Sequence, residues 1–177
     1  YVSPRPSYLG AKTFADYPLR ELCNYIDWTP FFRTWELKGT YPKILEDQIM
    51  GETARSLFAD AKGLLEQIVE KRLLTAKAVV GFWPANSVGD DIEVYESVDP
   101  IHRQAILHTL RQQMRQGRGK ANFALADFIS PLDSERMDYI GGFAVCAGFG
   151  LGALVAEFEK NHDDYNAIMA RALADRL

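Results

Sequence analysis

The chain has 177 residues, 47% of them hydrophobic and 25% charged, with a net charge of −4. That length suits one domain able to bury a core, and the composition is that of an ordinary globular protein. The negative balance argues against a nucleic-acid or anionic-membrane surface, and no apolar run reaches the length a membrane span needs.

Residues 1–18, with Pro4, Pro6 and Pro18 and little periodicity, read as a linker or extended arm. The remainder, 19–177, reads as the folded domain. Leu19 to Tyr25 can form a short helix. The next stretch, Tyr25 to Asp47, holds Trp28 and Trp35 with Phe31 and Phe32 between them. Asp27 is placed to cap a helix starting near Trp28, with Pro30 tolerated in its first turn and Gly39 expected to close it. Rings on most faces of so short a helix imply burial. A carboxylate beside such a cluster is either a cap or a contact for a cation, and the residues allow both.

Ile44 to Asp47 makes a turn of helix at most. A long amphipathic helix follows, because Ala54, Leu57, Phe58, Ala61, Leu64, Leu65 and Ile68 recur on one helical face. Lys77 to Pro84 reads as a buried strand and residues 85–90 as a turn-rich link. Asp91 to Tyr95 reads as a second strand, with Ile92 and Val94 inward and Glu93 and Tyr95 outward, so an antiparallel pair is expected. Asp99 and Pro100 predict a helix to about Met114. The basic residues Arg111, Arg115, Arg118 and Lys120 would be its solvated end. Asn122 to Ile129 is predicted as a third strand, Pro131 to Arg136 as a polar loop, and Tyr139 to Ala147 as a fourth strand. Helices from about Ala153 to Lys160 and from an Asp163 cap onward complete the chain, the second with Tyr165, Ile168, Met169, Ala172 and Leu173 as its apolar stripe. Strands joined by a hairpin, a helix and a loop predict an α+β fold: a mainly antiparallel twisted sheet with packed helices.

Chemistry-bearing patterns are few. His102, His108, His162, Cys23 and Cys146 show no ligand spacing, so no metal is expected. The two cysteines fit reduced thiols in a cytoplasmic protein. There is no nucleophile elbow; Ser87 has no assigned base and Cys146 lies in an apolar strand end. Gly148, Gly150 and Gly152 follow a strand and precede a helix, but fit a dinucleotide loop incompletely; a flexible turn is the expectation. Asp90 and Asp91 suit a turn. Asp127, within an apolar predicted strand, needs a partner or solvent. A small hydrolase built on Asp90, Asp91 or Asp127 ranks last, since no nucleophile–base pair accompanies them.

Several segments together resemble one family. They are Tyr25-Ile-Asp-Trp-Thr-Pro-Phe-Phe, Pro42-Lys-Ile-Leu-Glu-Asp, Val80 to Tyr95 with its Val-Gly-Asp-Asp-Ile-Glu, Leu125-Ala-Asp-Phe-Ile, Asp138-Tyr-Ile-Gly-Gly-Phe-Ala-Val, and His162-Asp-Asp-Tyr through Ala174-Asp-Arg-Leu. In this order they look like the C-terminal activation domain of cobalamin-dependent methionine synthase. The resemblance implies a part of a methyltransferase of methionine biosynthesis. Such a domain binds S-adenosylmethionine and docks over a neighbouring domain that holds the cobalamin. A reduced flavoprotein then supplies one electron, so that oxidised cobalamin is methylated again. The family's S-adenosylmethionine contact falls on Asp27; no catalytic acid or base is implied, and Asp163, Asp164 and Asp175 read as surface helix charge rather than as a lining of the surface that meets the cobalamin-binding domain. The start without Met and the end at Leu177, read as mid-helix, suggest a piece of a longer polypeptide. The family pattern runs on through a Trp-Gly-Tyr segment to an Arg-Pro-Ala-Pro-Gly-Tyr-Pro stretch that carries most cofactor contacts. Asp27 is then expected to be one half of a site, and the isolated piece to be inactive or a docking scaffold only.

Overall fold

The computed structural model describes residues 3–117 and 119–177; Tyr1 and Val2 of the expected arm and Arg118 of the basic cluster lie outside them. Five strands form a sheet in the order β1 (Gly10–Tyr17), β2 (Thr75–Val88), β3 (Asp91–Tyr95), β4 (Arg103–His108), with β5 (Asp138–Phe149) also paired to β2. Among the described residues five helices accompany it: α1 (Leu19–Leu22), α2 (Trp28–Thr34), α3 (Gly51–Glu70), α4 (Leu151–Lys160) and α5 (Asp164–Ala174). The expected α+β class with an antiparallel sheet is what the chain adopts. The chain divides into two units, Tyr1–Thr13 with Val79–Ala144 and Phe14–Ala78 with Val145–Leu177, and the divisions fall inside β1, β2 and β5.

The second unit contains the larger core. On α3 the expected stripe faces the core: Ala54, Ala61 and Ile68 are fully enclosed, Leu57, Leu64 and Leu65 nearly so, and Phe58 is half-buried. Phe31 and Phe32 of α2 and Met169 and Leu173 of α5 join them. The stripe on α5 is rotated from expectation. Tyr165 and Ile168 are exposed, while Ala167, Ala170 and Ala172 are buried. Small residues line the inward face, which lets the helix backbone approach its neighbours closely.

Three helices end in the same way, and none of them on glycine. Leu37 N–H donates to Phe32 O, Leu73 N–H to Ile68 O, and Asp163 N–H to Phe158 O. The residue before each donor, Glu36, Arg72 or His162, is left-handed, with φ of 61°, 48° and 58°. This is the Schellman closure, which usually recruits glycine. Gly39 therefore does not close α2, as the sequence led us to expect; Trp35 is its C-cap. Gly39 instead lies against Ile44, whose side chain would meet a Cβ there at 3.0 Å.

In the first unit β2 and β3 form the expected antiparallel hairpin, Val88 facing Asp91 and Ala85 facing Val94. Five expectations are corrected. The strand does not stop at Pro84 but continues to Val88, because residues 85–88 pair with β3. Tyr95 points inward, 1% exposed, because a register irregularity between Val94 and Tyr95 breaks the alternation. Residues 103–108 are not helical. They form edge strand β4, antiparallel to β3 with Ile92 opposite Leu107, so a free strand edge outweighed a weak helical stripe. Residues 122–129 are not a strand. Leu125–Phe128 is a 3₁₀ turn held by the Asp127 carboxylate, which accepts the Ala124 N–H at 3.0 Å; such side-chain-to-backbone bonds compete with a ladder. Likewise, residues 10–17 of the expected arm are strand β1.

Candidate functional site

Asp27 sits where the sequence placed it. Its Oδ1 accepts the Thr29 N–H at 3.0 Å, so it is the N-cap of α2. Pro30 follows in the first turn, where a missing N–H costs nothing. Asp27 is exposed, and among the described residues the Thr29 amide is its sole hydrogen-bond partner, leaving Oδ2 free. One further bond ties this corner together. The Thr29 hydroxyl accepts the Tyr41 N–H at 3.1 Å, fixing the loop after α2 to its first turn.

The rings that follow Asp27 in α2 are committed to the core. Trp28, Phe31 and Phe32 are buried, and Trp28 meets Phe31 and Phe58 edge-on with centroids 5.3 and 4.8 Å apart. The Phe58 face already carries Lys62 Nζ at 5.1 Å. These aromatics hold the helix; they are not a cation box. Tyr41, stacked on Phe32 with an interplanar angle of 17°, is part-exposed, and Tyr25 is exposed.

The second group of acids is brought together by a residue the sequence reading dismissed. Arg111 is not a solvated helix end. Its Nη2 donates to Asp90 Oδ1 at 2.6 Å and to Asp127 Oδ1 at 2.8 Å, and its Nη1 to Asp127 Oδ2 at 2.7 Å and to Asn122 O at 2.8 Å. The Thr109 hydroxyl also donates to Asp90 O. Arg111 beside it, with the Ala124 amide, holds the Asp127 carboxyl down to about 2. The partner that Asp127 needed is thus a guanidinium 16 residues away, a spacing no local pattern reveals. Asp127 and the Asp90 turn are neighbours, and an open cleft of about 700 Å³ lies between Ser87, Asp127 and Leu132. Even so, an ionised carboxylate clamped by arginine is a poor general acid or base near neutral pH. Asp91 contacts His108 Nδ1 at 3.0 Å, across the β3–β4 pair.

The remaining candidates have structural occupations. Ser87 Oγ donates to Ile129 O. Asn86, 2% exposed, donates through Nδ2 to Ser130 O and Arg136 O at 2.9 and 2.7 Å, and was not singled out from sequence. Burial pushes the Cys23 thiol up, away from reactivity. Asp163 caps α5, accepting the Asn166 N–H at 3.0 Å. Asp164 and Asp175 are exposed at the two ends of α5. Gly150, φ 102°, precedes α4 beneath Leu73 O. Among the described residues no group of three His, Cys, Asp or Glu could hold a metal ion, and no helix is long and apolar enough to cross a membrane.

An antiparallel α+β chain carrying Asp27-Trp-Thr-Pro-Phe-Phe on a capped helix and Val-Gly-Asp-Asp at a hairpin matches a known class of domain. The sequence profile described as "Vitamin B12 dependent methionine synthase, activation domain" matches residues 18–177, and the chain belongs to that family. Among solved structures, it is similar to a crystal structure of the MetH reactivation domain bound to AdoHcy, with TM-score 0.93 and 48% sequence identity. That match covers 99% of this chain and 54% of the solved one, so the chain spans about half the length of that relative.

Proposed function

We propose that this chain contributes the Asp27 half of an S-adenosylmethionine site, used to restore oxidised cobalamin in a methionine synthase. The observation that carries this reading is the 48% identity, over 99% of the chain, to a reactivation domain whose structure holds AdoHcy. The donor set fits. AdoHcy and S-adenosylmethionine share an α-ammonium, and Asp27 offers an exposed carboxylate oxygen with no partner among the described residues. A charge-assisted hydrogen bond from an ammonium to that oxygen satisfies both groups. The cap bond from Thr29 fixes the carboxylate before any ligand arrives, which lowers the ordering cost of binding.

In this role the chain's residues position rather than react. S-adenosylmethionine supplies an electrophilic methyl group, and no side chain near Asp27 needs to move a proton. The cobalamin would be held by a neighbouring domain of the same polypeptide, and the electron would come from a reduced flavoprotein. On this reading the protein resides in the cytoplasm.

The test is calorimetric titration of S-adenosylmethionine into this chain and into the full-length polypeptide that contains it. We expect saturable heat from the full-length protein, lost in Asp27→Asn. Absence of binding by both would overturn the proposal and leave a docking scaffold as the surviving reading.

A further inference from the structure

We infer that Thr29 is a positioning residue for the Asp27 site, acting through a latch to the Tyr41 amide. This inference rests on the reading of Asp27 as a ligand contact. Thr29 faces two ways. Its backbone N–H donates to Asp27 Oδ1 at 3.0 Å, and its hydroxyl accepts the Tyr41 N–H at 3.1 Å. The second bond spans 12 residues and joins the entrance of α2 to the loop that follows it.

That loop is held on both its sides. The Tyr41 ring stacks on Phe32 and lies 5.4 Å from the Phe58 ring. Gly39 lies so close to Ile44 that a Cβ would press on it at 3.0 Å. The loop therefore has one backbone position against the core, and Thr29 Oγ1 is the link from it to the cap. Without that hydroxyl the Tyr41 N–H loses its acceptor, and Thr29 loses its side-chain tie to the loop. The cap bond then holds a carboxylate whose anchor is free to shift. Ligand affinity falls although no ligand-contacting atom has changed, as expected where a site is preorganised by its surroundings.

The bond is exposed and lies at the edge of the aromatic cluster, so its loss should leave the fold intact. Packing alone gives threonine no advantage over valine here, because the two are nearly isosteric. The choice of a hydroxyl is explained by the bond it accepts.

The experiment uses the full-length polypeptide, with S-adenosylmethionine as the probe in calorimetric titration. Four variants are compared: Asp27→Asn, Thr29→Val, Thr29→Ser and Tyr165→Phe. Tyr165→Phe removes another exposed bond, to Asp60, and controls for a general loss of stability. Thr29→Val should weaken binding about 5- to 10-fold, the size of one hydrogen bond's worth of positioning. Thr29→Ser should recover affinity to within about 2-fold, since the hydroxyl is restored. Tyr165→Phe should bind like the parent. Amide exchange at Tyr41 should quicken in Thr29→Val and not in Thr29→Ser. If Asp27→Asn abolishes binding while Thr29→Val binds like the parent, or if valine and serine behave alike, the latch is overturned and the Asp27 reading stands. If the parent does not bind, or Asp27→Asn binds as well as the parent, the underlying reading fails first.

Discussion

Gly150 and Gly152 belong to one glycine-rich stretch, and the structure predicts opposite responses to the same substitution. At Gly150 the backbone has φ 102°, and a Cβ would stand 2.5 Å from Leu73 O. The left-handed side of the map costs a non-glycine residue about 1–2 kcal/mol. Forcing a methyl group into a filled space costs about 1–3 kcal/mol more. The obstruction is a backbone carbonyl at the closed end of α3, where Leu73 N–H is bonded to Ile68 O, so no side chain can rotate out of the way. Gly150→Ala should therefore lose about 2–5 kcal/mol, the sum of the two penalties. Gly152 lies inside α4 with nothing within 4 Å of its would-be Cβ. Because Gly152 is only the second residue of α4, alanine there should gain up to about 0.5 kcal/mol, the low end of the helix-interior difference between the two residues. Urea unfolding followed by tryptophan fluorescence reads both. With a slope near 2–3 kcal/mol/M, the Gly150→Ala midpoint should fall by about 0.7–2.5 M and that of Gly152→Ala should rise by up to about 0.2 M. A Gly150→Ala midpoint within about 0.3 M of the parent, or equal losses at both positions, would refute this account of the turn.

Further outcomes follow from the same geometry. Asp27→Asn should leave the unfolding midpoint nearly unchanged, within about 0.5 kcal/mol, because asparagine caps as well as aspartate; this separates the cap from the ligand contact in a single variant. Asn86→Ala should lose about 2–3 kcal/mol by denaturant unfolding, since two carbonyls, Ser130 O and Arg136 O, lose their shared buried donor. Phe32→Ala, at a fully buried position of the main core, should lose about 3–5 kcal/mol in the same measurement. In the clamp, Asp127 is held down to about 2 by Arg111 in the folded protein, below its value of about 3.9 in an unfolded chain. Its contribution is therefore complete above about pH 4 and disappears as pH falls through about 2. Carboxyl NMR should show Asp127 titrating near 2 in the parent and moving up toward the ordinary carboxylate range in Arg111→Gln; an unchanged titration would remove Arg111 as the cause.

Local pattern carried part of this protein unaided. The α3 stripe from Ala54 to Ile68, the Asp27 and Asp163 caps, and the hairpin from β2 to β3 depend on residues close in sequence, whose spacing states which face is buried and which donor is capped. The family resemblance drew on the same stretches, and the profile match over 18–177 bears it out. Other features were settled only by residues distant in the chain. Residues 103–108 became a strand because the edge of β3 was open to them. The helix ends at Glu36, Arg72 and His162 took left-handed backbone without glycine because the following amides reach Phe32, Ile68 and Phe158. Arg111 acquired its role because folding carries Asp90 and Asp127, 21 and 16 residues away in sequence, onto the same guanidinium. The corner at Asp27 divides in the same way. Its cap is written two residues ahead in the Thr29 amide, whereas the latch from Thr29 to Tyr41 exists only because the Phe32–Phe58–Tyr41 packing returns the loop to the start of its helix.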